Sequence, residues 1–236
     1  MTFPNSYHGV KKIFTAQILK IIEGVCIFAA AVAGLVTMAG TAVGLAAEET
    51  GTEVAAELGS TVVTFGIIGL VMIVAGGVLA IISYIMNIVG LRQAGQEEEA
   101  FHLGFLFACF ALIIKFVSIL LSLLNLGGGI GDNIADMFGR VCDIIIIISV
   151  LNGISNLAGR LGKPNIASLA ERLITVLSVI IGLSAVATII PIFFGVSVVF
   201  TDISMILTMV AGTLAIVGTI IYLVFLGKAV KMLKEN

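Results

Sequence analysis

Residues 173–226 read LITVLSVIIGLSAVATIIPIFFGVSVVFTDISMILTMVAGTLAIVGTIIYLVFL, and Asp202 is the only charged side chain among them. A helix needs ~20 apolar residues to cross the ~30 Å hydrocarbon layer of a bilayer, so this stretch is too long for one crossing and is read as two. Pro191, Gly195 and Asp202 mark the break, and Thr201 or Asp202 is the expected N-cap of the last helix.

Four further apolar runs lie upstream of it. They occupy approximately 13–47, 61–91, 101–126 and 134–158, with the last two crossings at 171–194 and 202–227. The third run closes on Gly127-Gly128-Gly129, a natural helix stop. All six runs are continuous and rich in Ile, Leu, Val, Ala and Gly, without the alternation of a β-barrel. Helical hydrogen bonding must therefore satisfy the backbone in lipid.

The whole composition agrees. A chain of 236 residues that is 60% hydrophobic and 11% charged, with mean hydropathy +1.24, cannot hide its apolar surface in a soluble core of that size. The expected fold is an all-α integral membrane protein with a single transmembrane domain over 1–236. Its six helices would form three consecutive in-out-in hairpins.

Orientation follows from where Lys and Arg fall. Ten of the twelve, namely Lys11, Lys12, Lys20, Arg92, Arg160, Lys163, Arg172, Lys228, Lys231 and Lys234, lie on one side of such a topology. That side is expected to be cytoplasmic, together with both termini. The opposite connections carry Glu48, Glu49, Glu53, Glu57, Asp132, Asp136 and Asp202 and no base. Glu97-Glu98-Glu99 stands on the basic side and reads as a solvated turn.

The polar N-terminus, followed by an apolar run too long for a signal-peptide core, reads as an ordinary first span. Cys26, Cys109 and Cys142 all fall within spans and read as small apolar packers. Each even-numbered helix leaves through glycine, a base and a small residue: Gly90-Leu91-Arg92-Gln93-Ala94, Gly159-Arg160-Leu161-Gly162 and Gly227-Lys228-Ala229. Three hairpins of one orientation would be parallel repeats about an axis along the membrane normal, although any chain with basic inner turns has this look.

Two bases break the sorting, Lys115 and Arg140. A charge at the centre of a spanning helix costs ~2.5–3.5 kcal/mol on insertion scales and marks a functional hypothesis. Helical rise places Lys115 ~16 Å below Leu126 and Asp143 ~14 Å below Ile134, on partner helices of the middle hairpin. Lys115, Ser118, Ser122 and Asn125 share one stripe of the third helix; Asp132, Asp136, Arg140 and Asp143 share one stripe of the fourth. Together they suggest a polar seam open to the outer face. Ser149, Asn152, Asn156 and Arg160 form a second polar face toward the inner end. Glu23 is an alternative partner for Lys115, with Lys20 three residues away competing for it. Arg140 is expected to bridge Asp136 and Asp143. A Lys–Asp pair also serves simply to fasten two helices, and the sequence accommodates that reading equally.

Catalytic classes find little support. HExxH, GxSxG and phosphate-cradling glycine motifs are missing, and His8 and His102 both sit at the inner edge, where they cannot hold a haem within the bilayer. Magnesium at Asp132, Asp136 and Asp143 is opposed by Arg140 in their midst. No catalytic, metal or cofactor site is expected, and no nucleic-acid partner. The expectation is a small multi-pass transporter or channel-like protein of a prokaryotic-type plasma membrane. Its partners would be the lipid bilayer, an ion or small molecule of unnamed identity, and a second copy or a membrane subunit. The competing expectation is a non-catalytic assembly subunit or scaffold whose buried charges are structural.

Overall fold

The computed structural model contains six α-helices and, among the described residues, no strand: α1 Pro4–Thr50, α2 Val54–Ala94, α3 Glu99–Leu123, α4 Ile130–Arg160, α5 Pro164–Phe194 and α6 Val198–Lys234. It describes residues 3–50, 54–123, 130–194 and 198–235, without the side chains of 44–50, 54–60, 119, 121–123, 130–137, 140, 181, 183–194, 198–205, 207 and 208. Five stretches, in α1, α2, α3, α4 and α6, are long and apolar enough to cross a membrane. The crossing expected in α5 falls largely among the undescribed side chains.

Helix ends differ from the apolar runs because helices outlast hydrophobicity. α1 begins nine residues before Ile13, at Pro4, whose ring pre-sets the first helical position and whose missing N–H has no partner to lose there. α6 begins at Val198, so Thr201 and Asp202 stand inside it and neither is its N-cap, contrary to the sequence expectation. Asp132 likewise lies inside α4. The Gly127–Gly129 stop and the break at Gly195 lie outside the described residues.

The chain divides into two compact units. In the unit formed by residues 15–86, small residues set the contact between α1 and α2. A Cβ placed on Gly40 would meet Val62 at 2.6 Å, one on Gly69 would meet Ala33 at 3.5 Å, and one on Gly76 would meet Cys26 at 3.6 Å. The partners run in opposite directions and recur every seven residues on both helices. A seven-residue contact period is that of a left-handed antiparallel pair, with backbones brought close where side chains are small. Gly40, Gly69 and Gly76 thus serve packing within the chain, whereas Gly66 and Gly77 meet nothing.

In the same unit Val25, Ile27, Phe28, Leu70 and Ile73 are all exposed, Phe28 by 72%. Contiguous apolar surface on this scale has no place in water, and lipid is the solvent that removes its cost. Thr37, whose hydroxyl donates to the Ala33 carbonyl at 2.8 Å, shows how a polar side chain is satisfied on such a surface.

The other unit comprises residues 1–14 and 87–236. Its helices pack in chain order, α3 on α4, α4 on α5 and α5 on α6. One core holds them, with Val10, Ile13, Leu91, Phe101, Val150, Leu151, Ile154, Leu157, Phe225 and Leu226 all essentially buried. Apart from Phe101, whose helix holds none of the sorted bases, these residues come from the ends of the helices that carry them.

The turn from α4 to α5 is a compact example of local sequence dictating structure. Gly162 takes φ +65°, open to glycine without steric cost. Its N–H bonds the Gly159 carbonyl at 3.1 Å, and the Lys163 N–H bonds the Ala158 carbonyl at 2.9 Å. That pair of bonds is the Schellman closure of a helix. Pro164 follows at once as the first residue of α5, so Gly-Lys-Pro both ends one helix and starts the next.

Candidate functional site

Within the larger unit, α3 and α4 are antiparallel and meet along glycine. A Cβ on Gly153 would lie 2.5 Å from the Phe101 ring, and one on Gly104 would lie 3.1 Å from Ser149 Cβ and 3.8 Å from the Ile146 carbonyl. Gly104, Ala108 and Ala111 recur at helical spacing on α3, all buried, and Cys142, Ile146, Ser149 and Gly153 do so on α4. Lys115 and Ser118 continue the α3 series outward at the next two positions. Lys115 is exposed and is not without a partner, and Ser118 is half-buried.

Asp143 is half-buried on α4, beside the buried Cys142. Continuing the register set by Phe101–Gly153 and Gly104–Ile146 places it level with residues 107–111 of α3, one to two turns inward of Lys115, or ~6–12 Å along the axes. Asp136 and Arg140 occupy α4 without described side chains, as does Ser122 on α3, and Asn125 lies outside the described residues. Glu23 is half-buried and belongs to the unit of residues 15–86.

At the inner end of the same helix pair the geometry is complete. α2 stops at Ala94, whose carbonyl accepts from the Glu97 N–H at 3.1 Å and from the Glu98 N–H at 3.2 Å. This tight turn delivers two adjacent carboxylates in different directions. Glu98 precedes α3 and points into the protein, only 6% exposed. Its Oε1 accepts from Asn156 Nδ2 at 2.8 Å. Arg160 Nη2 stands 2.9 Å from its Oε2 as an ion pair, without the alignment of a hydrogen bond. The acid lies at the N-terminus of α3 and the base at the C-terminus of α4, so each charge also complements its own helix dipole.

Glu97 turns to the start of α1. Its two carboxylate oxygens accept from the backbone N–H groups of Asn5 at 3.0 Å and Ser6 at 2.7 Å. Those N–H groups have no partner within a helix that begins at Pro4, and a carboxylate is the favoured group to receive them. The cap comes from about ninety residues away, because Phe3 has no oxygen in its side chain to provide one.

The reading of Glu97-Glu98-Glu99 as a solvated turn is therefore corrected for two of its three members; only Glu99 is exposed. The reason is tertiary, since the partners arrive from α1 and α4. One signal did point there: the inward polar stripe Ser149, Asn152, Asn156, Arg160 needs acceptors at its inner end, and this run offers acids at that level. Ser149 proves to be buried against Gly104, and Asn156 and Arg160 hold Glu98.

Together the α3–α4 face presents an apolar, small-residue middle between two polar ends, with an ion-paired fastening at the inner end. Such a face can hold helices in register and can also conduct a polar species if its middle separates. Compared with protein-family models, with curated proteins and with solved structures, the chain matches none, so geometry and composition carry the functional reading.

Proposed function

We propose that this membrane-embedded chain is a small multi-pass transporter or channel-like protein of a prokaryotic-type plasma membrane. Its path would run along the α3–α4 pair, both termini lying in the cytoplasm. The observation that carries the reading is the placement of Lys115 and Ser118 on the stripe of α3 that continues Gly104, Ala108 and Ala111. A cation at that depth is too costly on an insertion scale to be incidental, and Asp143 on α4 is the acid nearest in register whose side chain is described. By sequence, Arg140 and Asp136 share the α4 stripe of Asp143 and belong to the same proposed network. Glu98, Asn156 and Arg160 then close the inner end and act as its gate.

The second reading, a membrane assembly subunit or scaffold, draws on the same inner end. Glu97 and Glu98 fasten α1, α3 and α4 as a structural device would.

Charge exchange separates the two. Purified protein in liposomes is assayed for flux of protons, alkali cations and small anions, alongside Lys115→Asp, Asp143→Lys and the double exchange. Loss of flux in variants that keep helix content and thermal stability supports the transport reading. Should the single changes unfold the protein, the exchange restore it, and no flux be seen in any form, the structural reading stands instead.

A further inference from the structure

The turn between α4 and α5 and the last turns of α6 enclose a recess of about 210 Å³, lined by Lys163, Ile166, Lys228, Lys231, Met232 and Glu235. Three lysines and a single glutamate are among its lining residues. Glu235 reaches Lys231 only at 3.9 Å, both side chains being largely in solvent, so little of the charge is neutralised. Neither Lys163 nor Lys228 has an ion-pair partner among the described residues. The Lys163 backbone is fixed by the closure of α4, and Lys228 and Lys231 stand one turn apart on α6. The recess is therefore held open and positive by rigid elements, with Ile166 and Met232 giving it an apolar wall.

Its surroundings say what kind of anion fits. Leu214, Val217, Ile221 and Val224 recur on α6 at the spacing that leads into Lys228 and Lys231, and all four are exposed. From Leu214 to Lys228 the helix rises ~21 Å, enough to line one leaflet of a ~30 Å hydrocarbon layer. An apolar stripe one leaflet long, leading to three lysines, complements a molecule with an acyl chain and a phosphate. A soluble phosphate would make no use of the stripe, and a zwitterionic lipid would bring its own cation to the lysines.

We propose that this recess binds the phosphate of an anionic phospholipid, whose acyl chain lies along Leu214, Val217, Ile221 and Val224. The site rests on the chain being embedded in a bilayer and is independent of any transport activity. Basic pockets of this kind at the ends of spanning helices take acidic headgroups, each lysine adding several-fold to the affinity.

The test is lipid retention by the full chain. Protein reconstituted in vesicles of equal phosphatidylglycerol and phosphatidylcholine is extracted in mild detergent and weighed by native mass spectrometry. One phosphatidylglycerol should be retained with on the order of ten-fold preference. Lys163→Gln, Lys228→Gln and Lys231→Gln combined should abolish that preference, the corresponding triple Arg variant should keep it, and Lys12→Gln, Lys20→Gln and Arg92→Gln combined should leave it unchanged. The proposal fails if the unmodified protein shows no preference, a result that needs no variant to fold. It fails equally if the second Gln set removes as much as the first, which would mean general surface charge. Displacement of the lipid by millimolar inorganic phosphate would assign the recess to a soluble anion instead.

Discussion

Glu98 and Arg160 meet at 2.9 Å with very different surroundings: the acid is 6% exposed and the base 52%. The pair is therefore asymmetric in energy. Arg160 without Glu98 can turn to water, but Glu98 without Arg160 remains a carboxylate held in the protein by Asn156 alone.

Removing the base should accordingly cost more than neutralising the acid. Arg160→Ala is expected to lower stability by about 2 kcal/mol and Glu98→Gln by about 1 kcal/mol, since the glutamine carbonyl still accepts from Asn156 and the exposed half of the pair is screened by solvent. The double change should be less damaging than the sum. Thermal unfolding in detergent reads all three, and strictly additive losses would show that the two side chains do not support one another.

A second expectation concerns the cap delivered from afar. Glu97→Ala removes the acceptor for the Asn5 and Ser6 amides and should cost about 1 kcal/mol, as loss of an N-cap does. Hydrogen exchange should rise in residues 5–10 while the α4–α5 turn keeps its protection. Unchanged exchange at Ser6 would mean that Glu97 is not its partner.

Glycines that look alike in sequence should respond in opposite ways. A Cβ on Gly9 would meet the Gly90 carbonyl at 2.5 Å and the Ala94 nitrogen at 2.7 Å, both backbone atoms that cannot yield without moving a helix. Gly9→Ala is expected to destabilise by about 1–3 kcal/mol. Gly77 meets nothing, so Gly77→Ala should be neutral or gain up to about 1 kcal/mol from helix propensity. Equal effects at the two positions would overturn the close approach of α1 and α2 at Gly9.

Orientation is checked by labelling. In a chain with Cys26, Cys109 and Cys142 replaced by serine or alanine, Glu53→Cys in intact cells should react with a membrane-impermeant maleimide and Gln96→Cys should react only after lysis. The reverse pattern would turn the protein over.

By itself the sequence determined that this is a helical membrane protein, how many helices it has and roughly where each lies. Those properties are local: a run of apolar residues decides its own solvent, and Gly162-Lys163-Pro164 closes one helix and opens another using only its own backbone. Which polar residues matter was decided elsewhere. Glu97 and Glu98 read as turn residues because nothing within several positions of them differs from a solvated loop. Their partners, Asn5, Ser6, Asn156 and Arg160, reach them only once α1, α3 and α4 are packed. The helix ends moved for a related reason, since Pro4 and Val198 begin helices by backbone geometry and not by hydropathy. The same holds for the glycines. Their frequency was legible, but the contact of Gly153 with the Phe101 ring and the absence of any contact at Gly77 depend on helix register, which no single helix encodes.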